Sequence, residues 1–319
     1  MTMLDLNNRP GGPNLIVTAK TAHKVHFFDA ETLALSKTID MPGSTHELAL
    51  SADGRTAYGS VYGDGIFTRR MNPDRRIVVI DLPSKSLTRV IDLGETYAPH
   101  GVMMDAAGAL WCSGELGNAV LVIDPATDKV QRVDVGNTAH WVAISHATGK
   151  AFVSVKSEFI VVVDVARREV IDRIKVPHVT EGLAVSPDGG KLYVCAQTSA
   201  EFYVIDARSH AVLRTVPIDE VNATSPQMRR VRVAPDNRYV VVSSNKGDHA
   251  AIYATDGVKW IASFPTKKSP MGFGFAPDGK RAYLCCHDDA VVFEFELPSG
   301  YVTRTFPTAA GCEFIVAYQ

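Results

Sequence analysis

The segment EGLAVSPDGGKLYVCAQ, residues 181–197, decides the fold. It begins with a short apolar run, turns at Pro-Asp-Gly and continues into a second apolar run, which is the pattern of a β-hairpin. A third run, EFYVID, follows at residues 201–206, and a fourth, AVLRTVP, at residues 211–217. Because Asp-Gly supplies the positive φ that tight hairpins need, the stretch predicts one four-stranded antiparallel sheet.

The same unit recurs about every 40–45 residues, a spacing typical of β-propeller blades. Residues 14–40 supply only three strands, whereas residues 312–318 supply one strand without a sheet of its own. If the last strand completes the first blade, the count closes at seven and the ring has no free sheet edge. The sequence therefore predicts an all-β, seven-bladed propeller with four-stranded blades over residues 14–319, after a short flexible leader at residues 1–13.

The repeat resembles that of the YVTN-repeat, lactonase-like seven-bladed propellers. The resemblance covers nearly the whole chain and rests on Ser186-Pro-Asp-Gly189, Leu192-Tyr-Val194 and Tyr203-Val-Ile-Asp206, although the family's Tyr-Val-Thr-Asn tetrad is degenerate at residues 193–196. It implies the propeller fold and favours a lactonase-type hydrolase. The family also contains lactonising enzymes, cofactor-associated proteins and binding platforms, since one fold hosts many functions.

Composition excludes several classes of protein. The chain is 46% hydrophobic and 21% charged, as expected for a globular domain, and its net charge of −2 gives no global attraction to nucleic acid or anionic membranes. No apolar run approaches the ~18 residues of a membrane span. The five cysteines are odd in number and follow no disulfide spacing, and the N-terminus lacks an apolar signal core, so we expect a cytoplasmic protein with free thiols.

One sequence column is the main functional signal. Each of its members stands two places before the apolar triplet that opens a blade: His46, His100, His140, Glu181, Arg229, Met271 and Cys312. In a propeller, such a column forms a ring around the central axis. The ring would bring three imidazoles, a carboxylate and a guanidinium together at one mouth of the channel. In blade six the register stays open between Arg229 and its two neighbours, because a slip of one residue reverses the facing side chain.

The column predicts a metal site. His46, His100 and His140 would bind one divalent ion with Glu181 as the oxygen ligand, a donor set that suits Zn, Mn, Fe or Ni without choosing among them. Close imidazoles resist protonation together, which favours the neutral, metal-binding form. The alternative is a metal-free pocket in which a histidine and a glutamate act as general base and orienting group.

A second set of residues predicts the substrate. Arg229 and Arg230, with Lys156 and Lys20 and with Arg69-Arg70 as a further candidate pair, would form a cationic wall for a small carboxylate-bearing substrate, since guanidinium groups bind carboxylates in a bidentate manner. The alternative is that these side chains pair with Glu47, Glu181, Glu115 or Asp248. Trp141 would form an apolar wall or pack between blades. The insertion at residues 63–76 would form a partial lid or a surface loop, and residues 219–227 would form the opposite wall.

These observations favour a metal-dependent enzyme, a lactonase-type hydrolase or a lyase. In this hypothesis His100 and His140 act in catalysis, and Glu47 or a pocket histidine moves the proton. The alternatives are a metal-free lactonising or isomerising enzyme, a non-catalytic platform for a small ligand or protein, and redox or electron-transfer chemistry with a transition metal such as copper or iron. We expect no nucleic-acid or membrane partner, and a homo-oligomeric state stays open.

Overall fold

The computed structural model describes residues 14–66, 69–218 and 228–319. Its strands form seven four-stranded antiparallel sheets, which are the seven blades. Blade 1 joins both ends of the chain, because the last strand pairs with the first along Asn14–Ala19. The predicted seven-bladed propeller and its closure are confirmed. The predicted leader at residues 1–13 and the predicted wall at residues 219–227 lie outside the described residues.

In blades 1 to 3 the strands run from the axis outward in the following order. Blade 1 contains β28 (Cys312–Tyr318), β1 (Asn14–Ala19), β2 (Lys24–Asp29) and β3 (Leu35–Asp40). Blade 2 contains β4 (Thr45–Leu50), β5 (Thr56–Val61), β6 (Arg76–Asp81) and β7 (Ser86–Asp92). Blade 3 contains β8 (Pro99–Met104), β9 (Leu110–Gly114), β10 (Ala119–Asp124) and β11 (Lys129–Asp134).

Blades 4 to 7 repeat the same order. Blade 4 contains β12 (Ala139–Ser145), β13 (Lys150–Val155), β14 (Phe159–Asp164) and β15 (Glu169–Lys175). Blade 5 contains β16 (Thr180–Val185), β17 (Lys191–Ala196), β18 (Glu201–Asp206) and β19 (Val212–Pro217). Blade 6 contains β20 (Met228–Val233), β21 (Tyr239–Ser244), β22 (His249–Ala254) and β23 (Trp260–Pro265). Blade 7 contains β24 (Pro270–Phe275), β25 (Arg281–Cys286), β26 (Val291–Glu296) and β27 (Val302–Pro307).

The hydrophobic core lies between neighbouring blades. Each apolar cluster combines side chains from two adjacent sheets, as when Phe152 of blade 4 and Tyr203 of blade 5 pack in one cluster. The first three strands of a blade are therefore apolar on both faces, whereas the outermost strand is mostly exposed, as in β3. This packing makes the ring rigid and leaves its axis to be lined by the innermost strands.

The Pro-Asp-Gly turn folds as its sequence predicts. Gly189 has a φ of +74°, and the carboxylate of Asp188 accepts hydrogen bonds from the Ser186 hydroxyl at 2.6 Å and the Gly190 amide at 2.9 Å. The aspartates that end third strands, such as Asp206, accept hydrogen bonds from backbone amides in the same way. These aspartates stabilise turns on the side of the blades away from the ring.

All five cysteines are free and buried, as expected. Among the described residues, no helix is long and apolar enough to cross a membrane. The cytoplasmic location stays a prediction.

Candidate functional site

A β-bulge places each ring side chain in the channel. Every innermost strand changes register near its start, for example at His140, which stands between the paired residues Ala139 and Trp141. The same shift occurs in β4, β8, β16, β20, β24 and β28. A bulge leaves one residue outside the ladder and re-aims its side chain. Here it directs one side chain per blade into the mouth of the channel.

The bulges correct one member of the predicted ring. In β28 the unpaired residue is Glu313, between Cys312 and Phe314, and it is Glu313 that lines the cavity. The prediction of Cys312 was wrong. Phe314, the residue after the bulge, is apolar and extends the apparent triplet, whose true first residue is Ile315. In blade 6 the bulge residue is Arg229, as predicted, and Arg230 also reaches the cavity.

Hydroxyl groups on the second strands fix the backbone of the three histidines. Thr18 Oγ1 donates to the carbonyl of His46 at 3.0 Å, Ser60 Oγ to that of His100 at 2.6 Å, and Ser113 Oγ to that of His140 at 2.8 Å. The same hydroxyls accept hydrogen bonds from backbone amides just after the bulge of their own blades, as Ser113 does from Gly101 at 2.8 Å. One hydroxyl therefore joins each of blades 1 to 3 to the ring residue of the next blade.

The three imidazoles form one buried stack. The ring centroid of His100 lies 4.1 Å from that of His46 and 4.1 Å from that of His140, and all three side chains are almost fully buried. A glutamate stands at each end of the stack: Glu313 Oε1 is 3.4 Å from Nε2 of His46, and Glu181 Oε1 is 2.9 Å from Nε2 of His140. The ring thus reads Glu-His-His-His-Glu across blades 1 to 5, followed by Arg229 and Met271.

Among the described residues, His100 is the histidine of the stack that has no carboxylate within ion-pair distance. Its Nδ1 is buried without a hydrogen-bond partner among the described residues. Burial, followed by the charges of neighbouring histidines and cations, lowers the pKa of His100 well below its usual value, and burial does the same for His46. Both rings are therefore neutral at physiological pH, which is the form that binds metal or accepts a proton.

His140 lies between two carboxylates. Its Nδ1 contacts Glu115, which extends from the loop after β9. Glu115 also accepts a hydrogen bond from the Tyr62 hydroxyl at 2.7 Å and forms an ion pair with Arg70. Burial alone would raise the pKa of Glu115, but His140, Tyr62 and Arg70 outweigh it and the pKa is lowered. Glu115 is thus an ionised carboxylate in a buried position.

Two of the predicted substrate cations are held by Glu181. Arg229 Nη1 lies 2.8 Å from Glu181 Oε1, and Lys156 contacts the other oxygen. Burial raises the pKa of Glu181, but the charges of His140, Lys156 and Arg229 more than offset this and bring the pKa well below its usual value. Arg229 lines the cavity, whereas Lys156 stands behind Glu181 and does not.

Arg230 fills the axis beneath the ring. Its Nη2 lies 3.0 Å from Glu47 Oε1 and 3.3 Å from Glu313 Oε1, and its guanidinium carbon lies 4.3 Å from the centroid of the Trp141 ring. Burial raises the pKa of Glu47 to about 7 against the opposing charges of Arg230 and Arg232. The structure therefore places Glu47 and Trp141 behind the cavity wall, around the arginine, and not among the residues that line the cavity.

The cavity at the mouth has a volume of about 330 Å³. It brings together His46, His100, His140, Glu181, Arg229 and Arg230 from the predicted site. The insertion in blade 2 closes part of the mouth, because Ile66 lines the cavity and Arg70 turns inward onto Glu115. Residues 67–68 of this insertion lie outside the described residues.

The geometry groups a different set of potential metal ligands from the predicted one. One nitrogen of His100, one oxygen of Glu115 and one nitrogen of His140 lie within 4.8 Å of one another, and all three residues are buried. His46 and Glu181 do not join this group. Glu115 carried no ligand assignment in the sequence because it follows a second strand, outside the ring column. Glu313, whose Oε2 lies 2.7 Å from Nδ1 of His287, was missed through the register error.

Comparisons with known proteins support the fold. No family model matches the chain, so membership of the YVTN-repeat family stays a prediction. One curated protein, Antigen Lp49 of Leptospira interrogans serogroup Icterohaemorrhagiae serovar copenhageni (strain Fiocruz L1-130), is 27% identical over 274 residues, which are 78% of this chain and 56% of Lp49. The chain thus spans about half the length of this relative.

Three solved structures share the architecture over nearly their full lengths. A chain of Kuenenia stuttgartiensis hydrazine synthase superposes with a TM-score of 0.72 at 17% identity, covering 97% of this chain and 100% of the other. A functionally unknown protein from Desulfotomaculum acetoxidans DSM 771 gives 0.79 at 11% identity, covering 97% and 99%. The periplasmic gluconolactonase PpgL of Pseudomonas aeruginosa gives 0.79 at 16% identity, covering 96% and 99%. At these identities the likeness concerns the fold alone.

Proposed function

We propose that the cavity holds a divalent metal ion and that the protein hydrolyses a small, carboxylate-bearing ester of the lactone type. The observation that carries the proposal is the buried group formed by His100, Glu115 and His140, whose potential ligand atoms lie within 4.8 Å of one another beside the cavity that the two histidines line. A divalent ion at such a place supplies Lewis acidity toward a substrate carbonyl. The fold likeness to PpgL, a gluconolactonase, adds the substrate class to the proposal.

The donor set fits a transition-metal ion. Two imidazoles and one carboxylate suit Zn, Mn, Fe or Ni. His100 Nδ1 is a buried polar atom without a hydrogen-bond partner in the described part of the chain, which is costly unless a ligand supplies one. Glu115 and His140 are oriented by Tyr62, Arg70 and Glu181, and metal ligands commonly have such supporting contacts.

His46 and Glu313 would carry the proton transfer. His46 is neutral, lines the cavity and presents Nε2 toward Glu313 at 3.4 Å. In the proposed reaction His46 accepts a proton from the attacking water, and Glu313 stabilises the imidazolium that forms. Glu47 has a smaller part than predicted, because it stands behind His46 and acts on the pocket through Arg230.

The test is hydrolysis with controlled metal content. The protein is stripped with a chelator, reconstituted separately with Zn²⁺, Mn²⁺, Fe²⁺ and Ni²⁺, and assayed against a panel of five- and six-membered sugar lactones and lactones that carry a carboxylate. We expect turnover that disappears on stripping, returns with one of these ions and is lost in His100→Ala. Turnover that stays unchanged after complete stripping, or in metal-free His100→Ala, would reject the metal-dependent mechanism.

A metal-free acid–base site is the second candidate. It is favoured by His140, whose two nitrogens already face carboxylates of Glu115 and Glu181. Because both nitrogens of His140 are occupied, His46 and Glu313 would serve as general base and orienting group for a lactonising or isomerising reaction. The same assay separates the candidates, since this one predicts full activity of the stripped protein and the loss of that activity in Glu313→Gln.

A further inference from the structure

Lys20 is a buried lysine in the cavity wall, at the end of β1. Its side chain is 5% exposed, its Nζ donates a hydrogen bond to the carbonyl of Gly65 at 2.8 Å, and it lies 4.6 Å from the centroid of the Tyr62 ring. Within residues 14–66, 69–218 and 228–319, no aspartate or glutamate oxygen lies within ion-pair distance of this ammonium group. A buried charge in this situation is costly unless a ligand supplies the opposite charge.

The other buried cations at the mouth differ from Lys20 in this respect. Arg229 and Lys156 contact Glu181, Arg230 contacts Glu47 and Glu313, and Arg70 contacts Glu115. Glu313, Glu115 and Glu47 attract Lys20 only from a longer distance, and each is already held closely by an arginine. The protein thus satisfies its own buried cations internally and leaves the Lys20 ammonium facing the cavity.

We propose that Lys20 forms a carboxylate subsite and anchors the acid group of the substrate on the blade 1 side of the cavity. The ammonium group has three protons and gives one to Gly65, so two remain for the oxygens of a bound carboxylate. The subsite rests on the proposed function in one respect, that the ligand enters this same cavity. Of the predicted cationic wall, the subsite assigns the selection of an anionic substrate to Lys20 and not to Arg229, Arg230 or Lys156.

Binding to the full-length, chelator-stripped protein tests the subsite without any turnover. The probes are gluconate, acetate and sorbitol, which is gluconate with a hydroxymethyl group in place of the carboxylate. Lysine carrying ¹³C at Cε reports on Lys20 by nuclear magnetic resonance, its signal being assigned as the one lost in Lys20→Met. We expect saturable shifts of this signal with gluconate and acetate but not with sorbitol, and weaker gluconate binding in Lys20→Met by at least ~10-fold, since a charge-assisted hydrogen bond is removed.

Two further variants control for damage to the fold. Lys20→Gln keeps a hydrogen-bond donor without charge and should also lose gluconate binding, whereas Lys175→Met on the exposed outer strand of blade 4 should bind as the wild type does. No saturable shift with either anion, or equal gluconate affinity in the wild type and both Lys20 variants, would overturn the subsite. Metal content is measured on each protein before it is stripped, so a failed metal site and a failed carboxylate subsite give different results.

Discussion

The two halves of the ring are built from the same bulged strands but differ in how their backbone is held. In the histidine half, each histidine accepts a hydrogen bond at its backbone carbonyl. The donors are the hydroxyls of Thr18, Ser60 and Ser113, at 3.0, 2.6 and 2.8 Å. In the arginine–methionine half, made by Glu181, Arg229 and Met271, the equivalent residue Ser154 has no hydrogen-bond partner among the described residues and Ser243 is 3.5 Å from the carbonyl of Met271. Short hydroxyl–carbonyl hydrogen bonds therefore support the backbone at the three histidines, which are the proposed reactive residues.

Side-chain charge follows the same division. The histidine half joins the neutral imidazoles of His46 and His100 to the buried carboxylates Glu115, Glu47 and Glu313, whereas the other half contains a paired arginine and an apolar methionine. A rigid, partly unsatisfied cluster is the usual place for catalysis, and a satisfied ion pair is the usual place for structure. We therefore propose that the histidine half carries the chemistry and that the other half supports the structure.

The largest effect should come from the centre of the histidine half. His100→Ala should reduce kcat/KM for the lactone substrate by at least ~100-fold, because even outer contacts of a metal ligand commonly contribute 10- to 100-fold. Steady-state kinetics with the reconstituted protein measures the loss, and far-UV circular dichroism verifies the fold. A loss smaller than about 3-fold would place the chemistry elsewhere.

The contributions of Glu47 and Glu181 to stability should depend differently on pH, because their pKa values are shifted in opposite directions. The folded pKa of Glu47, about 7, exceeds its unfolded value, so its stabilising contribution is complete below pH ~4.5 and is lost as pH rises to ~7. The free energy of unfolding of the wild type, relative to Glu47→Gln, should therefore fall by up to ~3 kcal/mol from pH 5 to 8. Urea unfolding at a series of pH values measures this difference.

Glu181→Gln is the matched comparison for the pH series. The pKa of Glu181 is well below its usual value, so its contribution is present above pH ~4.5 and is lost only as pH falls further. The difference in the free energy of unfolding between the wild type and Glu181→Gln should stay constant from pH 5 to 8. Parallel curves for the two variants over this range would contradict the assigned environments.

The serine hydroxyls that face the ring backbone should contribute smaller and unequal amounts to the free energy of unfolding. Ser113→Ala removes the hydroxyl that binds both Gly101 and His140, which should lower the free energy of unfolding by about 1–3 kcal/mol. Ser154→Ala removes a hydroxyl without a partner among the described residues and should change it by less than ~0.5 kcal/mol. Denaturant titration of both variants checks the difference, and equal losses would show that the hydroxyl contacts do not distinguish the halves.

The smallest effect is expected at the apolar ring position. Met271→Leu keeps the volume of a buried side chain and should cost less than ~1.5 kcal/mol in unfolding free energy. Because Met271 lines the arginine–methionine side of the cavity, kcat should stay within about 2-fold of the wild type. Thermal unfolding and kinetics measure both quantities. A loss of kcat as large as that of His100→Ala would mean that the ring acts as a whole.

Sequence reasoning succeeded where the repeat itself carried the information. The Pro-Asp-Gly turns, the apolar runs and the unmatched last strand were sufficient for seven blades and their closure, because these are local patterns that recur. The column also placed His46, His100 and His140 together, since a bulge at the same point of each inner strand preserves the register.

The side-chain contacts between different blades could not be predicted from the sequence. Glu115 reaches His140 from the neighbouring blade, and Arg230 crosses the axis to Glu47, which is 183 positions away in the chain. No spacing encodes such pairs, so the ion pairing of Arg229, Arg230 and Lys156 appeared only as an alternative to substrate binding. The error at Cys312 has a simpler cause, because an apolar residue after the bulge extends the apparent triplet by one position.

The most direct test of the account is the metal content of the protein expressed without an affinity tag and measured by inductively coupled plasma mass spectrometry. The wild type is compared with His100→Ala and Glu115→Gln, and with Met271→Leu as the control from the same ring. We predict close to one equivalent of a transition metal in the wild type and in Met271→Leu, and loss of the metal in the other two variants. Equal metal content in all four proteins, or none in the wild type after reconstitution, would contradict a metal centre in the histidine half.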